Sequence, residues 1–183
     1  MPPPSGEYGL GPDEVTLSVR TVRGGAAAKA GHDLLIHVTS WSATLVLGGD
    51  PAACGLELKA DATSLRVVEG TGGAFELGDD DLANIQQTID DEVLMKQEIS
   101  FRSTRIGDAS DGRLAVEGDL TIVGKTHPIA FELTIRDGGT LSGSATVTQT
   151  KWGMKPYSAL FGALKVADDV EVAAEGQLPA QSR

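Results

Sequence analysis

Apolar and polar residues alternate with a period of two along most of the chain, the pattern of strands with one buried face. Val15, Leu17 and Val19 alternate with Thr16, Ser18 and Arg20 until Gly24-Gly25 interrupts them. Residues 26–30 are small and predict a single helical turn. A long strand is expected over 33–47, with Leu34, Ile36 and Val38 and then Trp41, Leu45 and Leu47 in phase; the phase slips by one near Ser40, which predicts a bulge or bend. Leu56, Leu58, Ala60 and Ala62 form a third strand, followed by a glycine-rich connection over 70–73. The period then changes: Leu82, Ile85, Ile89 and Val93 fall on one helical stripe, with Asp79, Asp80 and Asp81 at the positive end of its dipole. From Glu98 onward every segment alternates again, with turn chemistry at Asp111-Gly112, Gly124 and Asp137-Gly138-Gly139 and a last strand through Val166, Val170, Val172 and Ala174.

About eight strands without β-α-β alternation predict an all-β protein: an eight-stranded antiparallel lipocalin-like barrel with one helix in a long connection. The inward phase carries many small residues (Ala60, Ala62, Ser103, Gly118, Gly143, Ala145 and Ala174) and aromatics are only 4% of the chain. Side chains this small leave space inside a barrel, which favours an apolar cavity; a sandwich whose second face supplies the bulk is the alternative. Residues 1–12 are expected to be a flexible start, 13–177 the single domain and 178–183 a tail.

Charge narrows the choice of partners. With 15 Lys and Arg against 26 Asp and Glu, the net charge of -11 opposes phosphate-rich nucleic acid and an anionic membrane surface. No apolar run is long enough to span a membrane, and the first residues resemble no secretion signal, so a cytoplasmic protein is expected. The lone Cys54 forms no internal disulfide.

Candidate chemistry is sparse. His32-Asp33 pairs a base with a carboxylate, but neighbours on a strand point to opposite faces, so the two do not make a dyad alone. His32 either caps the strand through a backbone hydrogen bond or touches a ligand head group. His127, before Pro128, is expected to be exposed in a turn. The three histidines lack metal-ligand spacing, and the aspartates of 79–81 and 90–91 lack the alternation of a calcium loop, so neither a metal nor a cofactor is expected. The segment 152–164 is the most informative loop: Trp152, Tyr157 and Phe161 are three of the eight aromatics, interleaved with Lys155. It is either a lid over a cavity or a plug that closes the barrel.

Two segments carry a resemblance. Ile99-Ser-Phe-Arg-Ser-Thr104 and the run from Gly118 through Gly124-Lys-Thr-His-Pro128 to Leu133, with the bent strand around Trp41, resemble the YceI-like polyisoprenoid-binding family over about residues 8 to 177. The stretch Gly78-Asp-Asp-Asp-Leu82 lacks the histidine that many members carry there. The resemblance implies a lipocalin-like barrel holding a long isoprenoid or a fatty-acid-like chain, without catalysis. The expected ligand contacts are Trp41, Phe101, Phe131, Trp152, Tyr157, Phe161, His32 and Lys155. An enzyme using His32 and Asp33 at the barrel mouth, and a closed barrel acting as an interaction or stress-response module, remain alternatives. Self-association into a homodimer is left open.

Overall fold

Alternation becomes strand wherever one face has a core to cover. The computed structural model describes residues 3–108, 111–159, 162 and 164–180. Among them the chain forms β1 (Gly6–Leu10), β2 (Val15–Thr21), β3 (Arg23–Gly24), β4 (His32–Val38), β5 (Trp41–Leu47), β6 (Gly55–Ala60) and β7 (Leu65–Gly72). Helix α1 (Asp79–Thr88) follows, and then β8 (Ile99–Asp108), β9 (Arg113–Ile122), β10 (Lys125–Ile135) and β11 (Thr140–Thr148). The chain ends with β12 (Ser158–Ala159), β13 (Leu164–Val166) and β14 (Asp169–Gln177). Eleven strands make one curled antiparallel sheet in the order β1-β5-β6-β8-β9-β10-β11-β14-β2-β4-β7, and β12, β13 and β3 make a second, small one.

The all-β class with one helix holds, but the count of eight strands does not; the main sheet has eleven. Two of the additional strands come from bends. The long strand expected over 33–47 breaks at Thr39-Ser40, where its phase slips, and becomes β4 and β5. A 3-10 turn, Ala62–Ser64, separates β6 from β7, so Ala62 is a turn residue and not a strand residue. The bends meet: Thr39 N–H donates to the Ser64 carbonyl and Asp61 N–H to the Ser40 carbonyl, both near 3 Å. Val38 pairs with Leu65 on one side of the break and Trp41 with Ala60 on the other. The same bent pair of segments thus lies toward both ends of the strand order, which turns the sheet round on itself. β7 escapes a reading by period because it is an edge strand, mostly exposed, with a register shift opposite Leu35/Ile36.

The third additional strand is β1. It falls inside the segment expected to be flexible, yet it pairs with β5 from Gly6↔Leu47 to Leu10↔Ala43, and Tyr8 is buried with its hydroxyl donating to the Pro4 carbonyl at 2.6 Å. Tyr8 and Leu10 point inward in alternation and extend the core, an alternation that the prolines before them obscure. At the other end Leu178, the first residue of the expected tail, is buried and its N–H donates to the Gly139 carbonyl.

The helix forms where its stripe predicts. The Asp81 carboxylate accepts the Gly78 N–H at 2.9 Å, closing the N-terminal turn, and a π-helical turn, Ile89–Val93, prolongs the stripe. None of the residues of α1 is buried.

Glycine decides one close approach in the sheet. Gly176 crosses the start of β2 so tightly that a Cβ there would overlap the Glu14 carbonyl and the Val15 Cα. Gly176→Ala is expected to destabilise the fold by about 1–3 kcal/mol, the cost of overpacking a rigid backbone contact, read as an earlier midpoint in urea unfolding. An unchanged midpoint would show that β14 can move off β2.

Candidate functional site: an apolar cavity with a polar mouth

The curled sheet does not fill its own interior. Its inner face encloses a cavity of about 670 Å³, to which every strand of the main sheet contributes. The small residues explain the space. Ala60, Gly143, Ala145 and Ala174 stand on the cavity wall, as their phase predicts. Gly118 does not open space, because the Phe101 ring lies where its side chain would be. Nor does Ser103, whose hydroxyl accepts the Leu56 N–H at 2.9 Å beside a bulge in β8.

Helix α1 and its π-helical extension close one flank. Ile85, Ile89 and Val93 face the cavity, not a packed layer. This apolar stripe was legible in the sequence; that it covers a space rather than a core was not. The segment ends at Met95 and Lys96, both at positive φ (52° and 54°). The Lys96 ammonium, 2.8 Å from Asp91, holds that carboxyl below the ordinary carboxylate range by hydrogen bond and charge, and its own pKa is raised in return. The pair is therefore intact at neutral pH and is lost as pH falls through the depressed Asp91 pKa or rises through the elevated Lys96 pKa.

Most of the polar lining gathers at one end. Arg23 Nη1 donates to the Gly31 carbonyl at 2.7 Å, and its side chain lies across Gly72. Asp33 Oδ1 accepts the Arg23 backbone N–H at 2.8 Å. His32 Nε2 lies 2.7 Å from the Phe75 carbonyl, with its ring against Gly73. His32 and Asp33 thus serve different partners and do not form a dyad. Lys165, which pairs with Gly24, and Tyr157, whose carbonyl accepts the Val166 N–H, stand beside this mouth, and Asn84 lines the cavity from α1.

The expected ligand contacts divide. Trp41, Phe101, Phe131, His32 and Tyr157 line the cavity, and the Phe101 and Phe131 rings meet at 5.5 Å, tilted by 55°. The buried indole N–H of Trp41 has no hydrogen-bond partner among the described residues. Trp152 does not line the cavity. It is 1% exposed, donates its indole N–H to the Leu120 carbonyl at 2.9 Å, and packs edge-on against His127 at 5.4 Å. It anchors the loop to β9 and β10, and His127 is half-buried beneath it instead of exposed. Lys155 is exposed and off the wall, whereas Lys165, which sequence reasoning passed over, is on it. Phe161 lies outside the described residues. Arg23 was also missed; it sits beyond the last alternating position of β2 and reaches the mouth only through the β3–β13 pairing, which no local pattern announces.

This fold has counterparts among known proteins. Residues 14–178 match the YceI-like domain. The chain belongs to the YceI-like family. No curated protein matches it. Among solved structures, BcnA of Burkholderia cenocepacia superposes with a TM-score of 0.65 at 19% identity, covering 91% of this chain and 96% of that one. A polyisoprenoid binding domain from Saccharophagus degradans, implicated in plant cell wall breakdown, gives 0.57 at 8% identity, covering 96% of this chain and 100% of that one. The YCEI protein of Campylobacter jejuni gives 0.56 at 14%, covering 80% and 85%. At these identities the likeness is one of fold, and the YceI-like fold is what they share with this chain. No helix among the described residues is long and apolar enough to cross a membrane, and no group of three His, Cys, Asp or Glu among them converges to hold a metal ion.

Proposed function

We propose that this YceI-like protein binds and carries a long-chain apolar molecule, a polyisoprenoid or fatty-acid-like lipid, within the barrel and without covalent chemistry. The observation that carries this reading is the cavity of about 670 Å³ with its largely apolar wall. Its size falls in the range of ligand sites, and each methylene moved from water into it contributes about 0.8 kcal/mol. The asymmetry of the lining gives the ligand a direction: tail toward Trp41, Phe101 and Phe131, polar end at the mouth beside Tyr157 and Lys165. The polyisoprenoid binding domain of similar fold lends support to the isoprenoid class. Carriage in the cytoplasm is part of the same reading, checked by cell fractionation.

The test is native mass spectrometry and organic extraction of protein purified from its own host. A long-chain lipid released in about equimolar amount is expected; a protein that yields no apolar molecule and takes up no hydrophobic probe refutes carriage. His32 anchors the 73–75 loop through the Phe75 carbonyl and is not the source of affinity. His32→Ala is therefore expected to change lipid affinity by about 1 kcal/mol or less, the worth of one hydrogen bond, measured by probe titration. A hydrolytic or transfer activity that disappears with His32→Ala would replace carriage with catalysis.

A further inference from the structure

The helical segment that covers the cavity is tied to the barrel far more loosely than the strands of the main sheet are tied to one another. β7 is the last strand in the sheet order: it pairs with β4, and its other edge carries no strand. Residues 74–97 leave its end at the mouth, run as α1 and its π-helical turn, and rejoin the sheet at β8, which begins beside Ala60. Within this stretch the hydrogen bonds are internal. Gly78 N–H donates to the Asp81 carboxylate, Gln86 Nε2 to the Asp90 carboxylate, the Thr88 hydroxyl to the Asn84 carbonyl and Lys96 N–H to the Asp90 carbonyl. The Asp91–Lys96 ion pair is internal too. Among the described residues a single hydrogen bond, between His32 Nε2 and the Phe75 carbonyl, joins the stretch to the rest of the chain.

Packing holds the stretch little better. Leu94 is its only buried residue. Leu77, Ile85, Ile89 and Val93 line the cavity, and none of them is fully buried. Phe75, whose carbonyl His32 holds, is itself 83% exposed. The chain turns sharply at both ends of the stretch. Gly72 and Gly73 precede it at φ 81° and 75°, and Met95 and Lys96 close it at 52° and 54°. Left-handed backbone costs free energy at Met and Lys, so the second turn stores strain that outward movement relieves. A unit with few buried contacts, whose hydrogen bonds move with it, opens at a fraction of the free energy of global unfolding.

We propose that residues 74–97 are the gate of the cavity: released at His32, the segment turns outward as a unit about Leu94 and the Met95-Lys96 bend, and the flank beside β7 opens. A long chain then enters broadside instead of threading the mouth tip first. The inference rests on the carriage reading and adds the route to it. The ligand passes only while the gate is open, and the closed state surrounds it afterwards. The open fraction therefore sets loading and release together and leaves the affinity unchanged.

The test joins hydrogen exchange to loading kinetics, with the full chain and a long-chain fluorescent fatty acid as probe. Without probe, the amides of 79–93 are expected to exchange about a hundredfold or more faster than those of β9 and β10, as for a locally opening unit, and to slow once probe is bound. His32→Ala removes the latch and is expected to raise the association and dissociation rates together, each by about three- to tenfold, the worth of one hydrogen bond. A lock should do the reverse. In a Cys54→Ser background, Gly70→Cys with Leu77→Cys sets two thiols where the Leu77 side chain covers Gly70. Joined directly or through a short thiol cross-linker, they are expected to slow probe exchange by about tenfold or more relative to the same chain unjoined. Amides of α1 as slow as those of β9 overturn the gate. So do loading rates unmoved by His32→Ala or by the lock, because the chain then enters past a closed flank. A protein that takes up no probe refutes carriage itself, and the gate with it; one that takes up probe at rates indifferent to both changes loses the gate alone.

Discussion

Trp152→Ala is expected to lower the unfolding free energy by about 3–5 kcal/mol, as for a large aromatic removed from a packed site. Trp152 is the bulkiest of the fully buried side chains; its ring meets His127, and its N–H satisfies the Leu120 carbonyl. Removing it leaves a cavity and takes away the indole N–H that the Leu120 carbonyl accepts. Trp152→Phe keeps much of the packing and loses the hydrogen bond, so a smaller loss of about 1–2 kcal/mol is expected. Since Trp152 is not on the cavity wall, the affinity of the folded variants for a long-chain fluorescent fatty acid should stay within about threefold of wild type. Urea unfolding and probe titration separate the two effects. A variant of unchanged stability and lost binding would return Trp152 to the ligand site.

Filling the cavity should do the opposite. Ala145 and Ala174 stand on its wall in the adjacent strands β11 and β14, where Gly143 pairs with Ala174 and Ala145 with Val172. Ala145→Phe combined with Ala174→Phe places two rings in space that a chain would occupy. If they displace about four methylenes, the lost burial is about 3 kcal/mol, or two orders of magnitude in affinity. The rings gain apolar contact of their own, so the unfolding midpoint should hold or rise. Unchanged probe affinity with normal stability would show that the chain binds elsewhere, and a collapse in stability would show that the wall has no room.

The 152–164 loop reads as one unit in the sequence, and the fold divides it. Sequence placed Trp152, Lys155, Tyr157 and Phe161 together by proximity along the chain. In space Tyr157 borders the cavity, Trp152 is turned to the backbone of β9, and Lys155 stays in water. A loop has no period, so nothing local states which way each side chain turns. Trp41, Phe101 and Phe131 lie on alternating strands, where parity alone assigns a face, and all three reach the wall. The same parity misassigned Gly118, because an inward-facing glycine leaves space only if no neighbour covers it, and Phe101 does.

By itself the sequence determined the all-β class, the helix over α1, the bend near Ser40, and the family to which the chain belongs. Each is a local matter, of period, turn chemistry or motif order. Only the tertiary structure decided that β1 and Leu178 belong to the fold, that the bent segments 32–47 and 55–72 each supply two strands, and that the helical stripe of Ile85, Ile89 and Val93 faces a cavity. The reason is physical: strand periodicity fixes which face a residue presents, whereas what that face meets depends on hydrogen bonds between segments tens of residues apart, formed only when the sheet curls.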